Sequence, residues 1–207
     1  MTAEPRRVAV LGGTFDPVHC GHLAIVSAVR AAIGASEAWL LPARTPALRD
    51  EPVAPAGLRL AMLEAAARDQ PAVRVVDLEL RRPGVSYTID TLAALAAADP
   101  AMEHWWILGA DAVRHIGDWH RSDELLDTIH VAVVQRDGAP RFDEAEARAL
   151  GLHDSCTRVL DIWPPAVSAS DVRARVAAGQ PVTGLVPAAV ADIIAASGLY
   201  RSMPAVR

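Results

Sequence analysis

The sequence contains no lysine: all 20 of its basic residues are arginines. The ordinary explanation for the absence of lysine is codon bias in the source genome. The absence also means that any positive charge in a site must come from arginine, histidine or a metal ion. The formal net charge is −5, and an acidic chain lacks the broad positive field that general nucleic-acid binding requires. A small anionic ligand needs only a local cluster of positive groups, so that class of ligand stays open.

Cysteine is also scarce, with only Cys20 and Cys156. These two residues make neither a disulfide framework nor a metal-binding spacing, which favours a reduced, cytoplasmic setting. The apolar run 8–11 is far too short for a signal peptide. Since no uncharged apolar stretch is long enough to span a bilayer, we expect no membrane association. The sequence does not determine the oligomeric state, and a homo-oligomer is one of the alternatives.

The order of apolar segments predicts the fold. Short buried strands are predicted, from their apolar runs, at 7–11, 37–41, 73–80, 104–108, 130–134 and 158–162. Helices are predicted at 19–33, 58–69, 88–98, 142–150, 170–178 and 187–197, with broken helical pieces over 111–126. This alternation predicts an α/β fold, a Rossmann-like parallel sheet with helices on both faces. We expect a single domain over 1–207, whose C-terminal helical part covers about 168–200.

Residues 12–23, between the first predicted strand and helix, read Gly-Gly-Thr-Phe-Asp-Pro-Val-His-Cys-Gly-His-Leu. Gly12 and Gly13 permit a tight turn and a close approach of the backbone to a ligand. His19 and His22 are three residues apart at a helix start, so they share a face and could both donate hydrogen bonds to one phosphate. No acidic residue occupies the first helical turn, where the dipole favours an anion. The segment therefore predicts a phosphate site.

The histidine pair has two other interpretations. A His-x-x-His spacing could hold a metal ion, but no third ligand with matching spacing is apparent. A purely structural role is usual for a single histidine, but it is less expected for a pair beside a Gly-Gly turn. The dinucleotide-binding and P-loop glycine patterns are both absent. As a whole, the segment 12–23 resembles the GxFDPxHxGH signature of the nucleotidyltransferase superfamily.

A second phosphate segment is predicted at 167–173, Val-Ser-Ala-Ser-Asp-Val-Arg, after the last predicted strand. Ser170 is predicted to cap the following helix. Arg173 then lies about one turn inside, where its charge opposes the helix dipole unless an anion is bound there. The alternative is a solvated arginine on a surface helix. The segment resembles the superfamily's ISSTxIR motif, in which Ser168, Ser170 and Arg173 match and Ala169 replaces the middle serine.

Three further segments resemble bacterial nicotinate-nucleotide adenylyltransferases. Residues 77–92 resemble DxExxRxGxSYTxDTL, and 108–111 with Trp119 resemble a GAD…W pattern. Residues 185–200 resemble LVPxxVxxYIxxxGLY, with Ile193 where that pattern has tyrosine. The resemblance implies ATP and nicotinate mononucleotide as substrates, nicotinate adenine dinucleotide and pyrophosphate as products, and Mg²⁺ carried with ATP rather than in a protein metal site.

The resemblance also assigns roles by position. The catalytic residues that it implies are His19, His22 and Arg173. The implied ATP-binding residues are Gly12, Gly13, Thr14, Phe15, His19, His22, Gly109, Asp111, Ser168, Ser170 and Arg173. The implied residues for nicotinate mononucleotide are Asp16, Arg49, Tyr87, Thr88, Trp119 and Arg136.

Several of these assignments have structural alternatives. Trp119 offers an aromatic face for the pyridine ring, or packs in the core. Thr88 and nearby backbone N–H groups could bind the carboxylate, or Thr88 could cap a helix. Asp111 could likewise cap the next helix, and Asp16 could serve only to fix its loop.

One departure and the rival functions follow from the same resemblance. The family's PPHK-like stretch reads Thr45-Pro46-Ala47-Leu48-Arg49 here, with Leu48 in place of histidine and Arg49 in place of lysine. The rival enzymes are phosphopantetheine adenylyltransferase and the cytidylyltransferases, which share both phosphate motifs. A non-catalytic nucleotide-binding paralogue is the rival from another class.

Overall fold

The computed structural model of this protein describes residues 6–47 and 51–201. Its strands are β1 (Arg6–Gly13), β2 (Glu37–Pro42), β3 (Val73–Val75), β4 (Met102–Gly109), β5 (His130–Val134) and β6 (Thr157–Val159). Its helices are α1 (Cys20–Ala32), α2 (Ala56–Ala67), α3 (Leu78–Arg81), α4 (Thr88–Ala98), α5 (Ala110–Val113), α6 (Ser122–Thr128), α7 (Glu144–Ala149), α8 (Ala169–Ala177) and α9 (Ala188–Ser197). None of the helices in these two ranges is long and apolar enough to cross a membrane.

The strands form one parallel sheet in the order β3-β2-β1-β4-β5-β6. This confirms the predicted Rossmann-like architecture. The strand order reverses between β1 and β4, which are neighbours at the centre of the sheet. Ligands of open parallel sheets bind beyond the carboxyl ends of the strands at such a reversal.

The sheet also opens at this reversal. Strand β1 pairs with β2 as far as Gly13 opposite Pro42, and β4 pairs with β5 as far as Gly109. Pairing between β1 and β4, in contrast, stops at Val10 opposite Trp106. The last residues of both central strands therefore separate and leave a crevice between them.

Apolar side chains cover both faces of the sheet, because successive strand residues point to opposite sides. On one face, Ala9 and Leu40 pack with Val26 and Met62 of α1 and α2. On the other face, the strand residues pack with α4, α5, α6 and α7 and with Phe142, which precedes α7. Each fully buried aliphatic side chain contributes roughly 1.5–3 kcal/mol, so the two layers stabilise the sheet that carries the crevice.

Two predicted strands are shorter in the structure. The strand predicted over 73–80 ends at Val75, and Leu78–Arg81 forms the short helix α3. Its apolar residues look like a strand, but the helical turn places Glu79 inside the protein, where Thr91 donates a hydrogen bond to it. The strand predicted over 158–162 is Thr157–Val159. Both cysteines are free thiols, in agreement with their separation in the sequence.

Candidate active site

Both central strands end in glycine at the crevice. A Cβ atom at Gly12 would lie 3.0 Å from the side chain of Trp106. A Cβ atom at Gly109 would overlap the carboxylate of Asp111. Glycine at these positions therefore avoids crowding against Trp106 and Asp111 at the ends of the two strands.

His19 and His22 stand together at the start of α1. Their rings stack with centroids 3.6 Å apart at an interplanar angle of 23°, which confirms that they share one face. Phe15 contacts the His22 ring edge-on, with centroids 4.9 Å apart. The backbone N–H of His19 donates to Nδ1 of His22 at 3.2 Å. Since Nδ1 accepts, a neutral His22 carries its proton on Nε2, which makes that atom a hydrogen-bond donor for an anion.

His19 precedes α1 as its N-cap residue and is buried. Burial lowers the pKa of His19 to about 4, so its ring is neutral at physiological pH. Its Nδ1 is buried with no hydrogen-bond partner among the described residues. A neutral ring beside a helix start can donate a hydrogen bond to phosphate without bringing a fixed charge into the core.

Burial of His19 makes folding sensitive to acid. Its pKa is about 4 in the folded chain against an ordinary 6.5, so between these values the unfolded chain binds more protons. The free energy of unfolding therefore has its full value above the ordinary pKa of 6.5, where His19 is neutral in both states. It decreases as the pH falls toward 4. We expect His19→Asn to flatten the acid limb, as measured by urea unfolding at pH 7 and pH 5.

Asparagine suits an N-cap position, so the variant should still fold. Burial also lowers the pKa values of His104 and His130, and their acid sensitivity is common to both proteins. Equal losses of unfolding free energy between pH 7 and pH 5 in the two proteins would show that His19 contributes nothing to this limb.

The second predicted phosphate segment forms the start of α8, with a different cap from the one predicted. Ser168, not Ser170, is the N-cap residue: its hydroxyl accepts from the Asp171 backbone N–H at 3.1 Å. The same hydroxyl donates to the Asp171 carboxylate at 2.7 Å. The extended backbone at Ser168 and an acidic residue three positions on favour this reciprocal cap. Ser170 is exposed in the first turn.

The starts of α1 and α8 lie side by side. The Arg173 guanidinium donates to the main-chain oxygen of Asp16 at 2.7 Å and reaches Ser170 Oγ at 3.4 Å. The backbone N–H of Cys20 donates to the oxygen of Leu185, beyond α8, at 2.8 Å. The two predicted phosphate segments, distant in sequence, therefore lie next to each other.

Asp16 occupies the centre of the loop before α1 and is 5% exposed. Its carboxylate accepts from the backbone N–H groups of Val53 and Ala54, at 2.8 and 3.1 Å, and from the Tyr200 hydroxyl at 2.6 Å. These contacts fix the loop, which was the structural alternative for Asp16. Its contact with nicotinate mononucleotide stays a prediction.

Arg59 of α2 is a residue that sequence reasoning missed. It is 1% exposed, and its guanidinium donates to four main-chain oxygens, those of Thr14, Ala43, Arg44 and Ala54, at 2.7 to 3.3 Å. Burial lowers its pKa, and the nearby Asp16 and Tyr200 act in the opposite direction. Arg59 thus joins the loop after β1 to the loop after β2. An arginine in an amphipathic helix ordinarily faces water, so no feature of the sequence indicated this role.

Two segments that pack on the same core cluster carry the predicted acceptor residues. Tyr87 and Thr88 lie at the start of α4, and Trp119 follows α5. Tyr87 is the N-cap residue of α4 without a side-chain cap bond, and Thr88 is the first helical residue. The alternative in which Thr88 caps the helix is therefore wrong. The Tyr87 ring stacks on His120 with centroids 4.1 Å apart, and Tyr87 and Trp119 pack partly buried against the same core cluster. Trp119 thus packs in part, as its alternative predicted, and keeps some exposed surface.

A buried acid supports this region. Glu79 is 5% exposed, and its carboxylate accepts from Thr91 Oγ1 at 2.6 Å. Arg82 donates to the same threonine at 3.0 Å. Burial raises the pKa of Glu79, while hydrogen bonds from Thr91 and Ser86 act against the shift. The pattern 77–92 contained this acid, but the sequence did not reveal that it would be buried.

The loop after β2 is joined to the segment before α4. Ser86 donates its backbone N–H to Thr45 at 2.9 Å, and its hydroxyl accepts from the Arg44 N–H at 3.0 Å. Leu48 and Arg49, the departures from the family pattern, lie outside the described residues.

Asp111 and Arg136 follow the ends of β4 and β5. Both are exposed, with Arg136 Nε 3.9 Å from Asp111 Oδ2. The short helix α5 has Gly109 as its N-cap and no side-chain cap bond, so the alternative in which Asp111 caps this helix is wrong. The two side chains border the carboxyl end of the sheet, where ligands of this architecture bind.

Comparisons with known proteins agree with this geometry. The cytidylyltransferase-like family model matches residues 10–175. A relative from Bordetella petrii, named probable nicotinate-nucleotide adenylyltransferase, is 41% identical over 95% of this chain and 100% of its own. One of the same name from Symbiobacterium thermophilum is 43% identical over 94% and 95% of the two chains.

A solved structure has the same fold. The Plasmodium falciparum nicotinic acid mononucleotide adenylyltransferase complexed with NaAD superposes with a TM-score of 0.78 at 17% identity, covering 94% of this chain and 97% of that one. Both predicted phosphate segments lie inside the matched family model, and the curated relatives match nearly end to end. The chain therefore belongs to the cytidylyltransferase-like family and, within it, to the nicotinate-nucleotide adenylyltransferases.

Proposed function

We propose that this protein transfers the adenylyl group of ATP to nicotinate mononucleotide, giving nicotinate adenine dinucleotide and pyrophosphate in NAD biosynthesis. One observation carries the proposal. The central strands separate beyond Val10 and Trp106, and His19, His22 and Arg173 border the resulting crevice at two adjacent helix starts. Such an arrangement suits a polyphosphate held next to a second anionic substrate.

The chemistry needs no protein nucleophile. A 5′-phosphate oxygen of nicotinate mononucleotide forms a bond to the α-phosphorus of ATP, and the bond to the α,β-bridging oxygen breaks as pyrophosphate leaves. The protein contributes positioning and charge stabilisation. His22 would donate from Nε2 to the phosphate oxygens on which charge develops. Arg173 would hold the β and γ groups beside His19.

Mg²⁺ would accompany ATP. The carboxylate of Asp16, the acid nearest the histidine pair in sequence, is occupied by Val53, Ala54 and Tyr200. A metal that keeps most of its ligands as phosphate oxygens and water fits such a site. When bound, it would neutralise part of the triphosphate charge.

The acceptor side contains the groups that a pyridine carboxylate needs. Trp119 would stack on the flat ring, and the first backbone N–H groups of α4, at Thr88 and beyond, have no intrahelical partner. We expect Trp119→Ala to raise the KM for nicotinate mononucleotide about 5- to 150-fold, the range for loss of one stacking contact, with little change in the KM for ATP. Steady-state kinetics with each substrate varied in turn measures both.

Trp119→Phe is the matched control, because it keeps an aromatic face and should recover most of the affinity. If the alanine variant raised both KM values equally, Trp119 would be a packing residue without a role in the acceptor site.

A pyrophosphate-release assay tests the function itself. ATP and CTP are each combined with nicotinate mononucleotide, nicotinamide mononucleotide and phosphopantetheine. We expect the highest kcat/KM for ATP with nicotinate mononucleotide. Preference for phosphopantetheine or CTP would favour another enzyme of the superfamily. Binding of ATP without release from any pair would favour a non-catalytic nucleotide-binding protein.

A further inference from the structure

The chain reaches the phosphate site a third time, at its C-terminal side. Helix α9 ends at Gly198 in the left-handed conformation, with φ 68°. Two residues later Tyr200 has φ 61°, a conformation that costs a bulky residue of order 1–3 kcal/mol and tends to occur at functional sites. Tyr200 is 9% exposed within the core. Its hydroxyl donates to Oδ1 of Asp16 at 2.6 Å.

The Tyr200 hydroxyl shares the Asp16 carboxylate with two backbone N–H donors. Asp16 Oδ1 has one other donor, the Ala54 N–H at 3.1 Å, while Oδ2 accepts from Val53. Burial and the Asp16 carboxylate both raise the pKa of Tyr200. The Tyr200 hydroxyl is therefore the donor and the Asp16 carboxylate the acceptor at neutral pH.

Two arginines lie near this carboxylate, and they differ in how far they are engaged. Arg59 is engaged through Nε and both terminal nitrogens with four main-chain oxygens. Arg173 donates to the Asp16 main-chain oxygen and, at 3.4 Å, to Ser170, and its guanidinium has no further hydrogen bond within residues 6–47 and 51–201. Both arginines act electrostatically on the Tyr200 hydroxyl. If Asp16 lost the tyrosine donor, Arg173 is the cation placed to compensate.

We propose that Tyr200 is a positioning residue for the phosphate site: by occupying Asp16 Oδ1, it prevents the Arg173 guanidinium from turning inward onto that carboxylate. Arg173 then keeps its remaining N–H donors for the triphosphate. A buried carboxylate left short of a donor costs free energy, and an ion pair with Arg173 would relieve that cost while withdrawing the cation from ATP. The inference rests on the proposed adenylyl transfer, in which Arg173 contacts the triphosphate.

Tyr200→Phe tests the inference because it removes one oxygen and keeps the ring. We expect kcat/KM for ATP to fall about tenfold, within the range found for coupled neighbours. The KM for nicotinate mononucleotide should change little. Binding of inorganic tripolyphosphate, measured by calorimetry, should weaken by a similar factor. A general loosening of the fold would not separate the two substrates in this way.

The matched control for stability is Ile194→Val. Ile194 is buried on α9 in the core cluster that also contains Tyr200, but it is apolar and cannot donate to Asp16. Its substitution should lower the Tm while leaving kcat/KM unchanged. If Ile194→Val and Tyr200→Phe reduced kcat/KM for ATP equally, the effect of Tyr200 would be one of stability, and the inference would fail.

A double-mutant cycle with Arg173→Ala separates this inference from the proposed function. If Tyr200 acts through Arg173, then Tyr200→Phe has no further effect on kcat/KM for ATP in the Arg173→Ala background. Equal effects in both backgrounds would overturn the positioning role alone. An Arg173→Ala protein with full turnover would overturn the role of Arg173 in the proposed reaction.

Discussion

Replacement of His22 by alanine is expected to reduce kcat by about 100- to 1,000-fold, the usual cost of losing one donor that stabilises transition-state charge. Its Nδ1 accepts from the His19 backbone, which directs the Nε2–H toward an anion. The KM for ATP should change less than kcat, because the developing charge is greatest in the transition state. Pyrophosphate release under saturating substrates measures the effect.

The fold should survive this change. His22 is only half-buried, so circular dichroism and Tm should remain close to those of the parent protein. His153→Ala is a suitable control, because His153 is an exposed histidine outside the crevice and its loss should leave kcat unchanged. Full turnover in His22→Ala would exclude the proposed mechanism.

Replacement of Arg59 by methionine is expected to lower the free energy of unfolding by at least about 3 kcal/mol. The substitution keeps most of the apolar stem but removes the donors to Thr14, Ala43, Arg44 and Ala54. Each buried acceptor left without a partner costs about 1–3 kcal/mol. Urea unfolding at neutral pH measures the loss.

Arg74→Met provides the comparison. Arg74 is an exposed arginine of β3 in a 3.4 Å ion pair with Glu37, and exposed pairs contribute about 0–1 kcal/mol. Similar small losses in both variants would show that the carbonyl cluster around Arg59 is satisfied by water or does not depend on this residue.

The fold was predictable to a large extent because its signals are local. Apolar runs and helical periodicity predicted β1, β2, β4 and β5 and the helices α1, α2 and α4. The strand predicted over 73–80 was wrong beyond Val75. Its apolar pattern fits a strand throughout, whereas the burial of Glu79 against Thr91 occurs on a helical turn. Such a contact joins residues 12 apart and leaves no trace in a short window.

The candidate site was predictable where the residue types and their position at a helix start both indicate a phosphate. A Gly-Gly turn, two histidines and an arginine at helix starts indicate phosphate by their types and spacing. The cap of α8 was wrongly placed at Ser170, because Ser168 and Ser170 are both good capping residues and only the backbone direction distinguishes them. The binding and catalytic roles of all these site residues stay predictions.

By itself the sequence determined the sheet, the two phosphate segments and the resemblance to the adenylyltransferases, since each depends on residues close together in the chain. Only the tertiary structure decided that Asp16, Arg59, Arg173 and Tyr200 meet at one point. The physical reason is that burial and hydrogen bonding between distant residues depend on how the layers pack. No local pattern records that an arginine of α2 faces inward or that a tyrosine 184 residues away donates to Asp16.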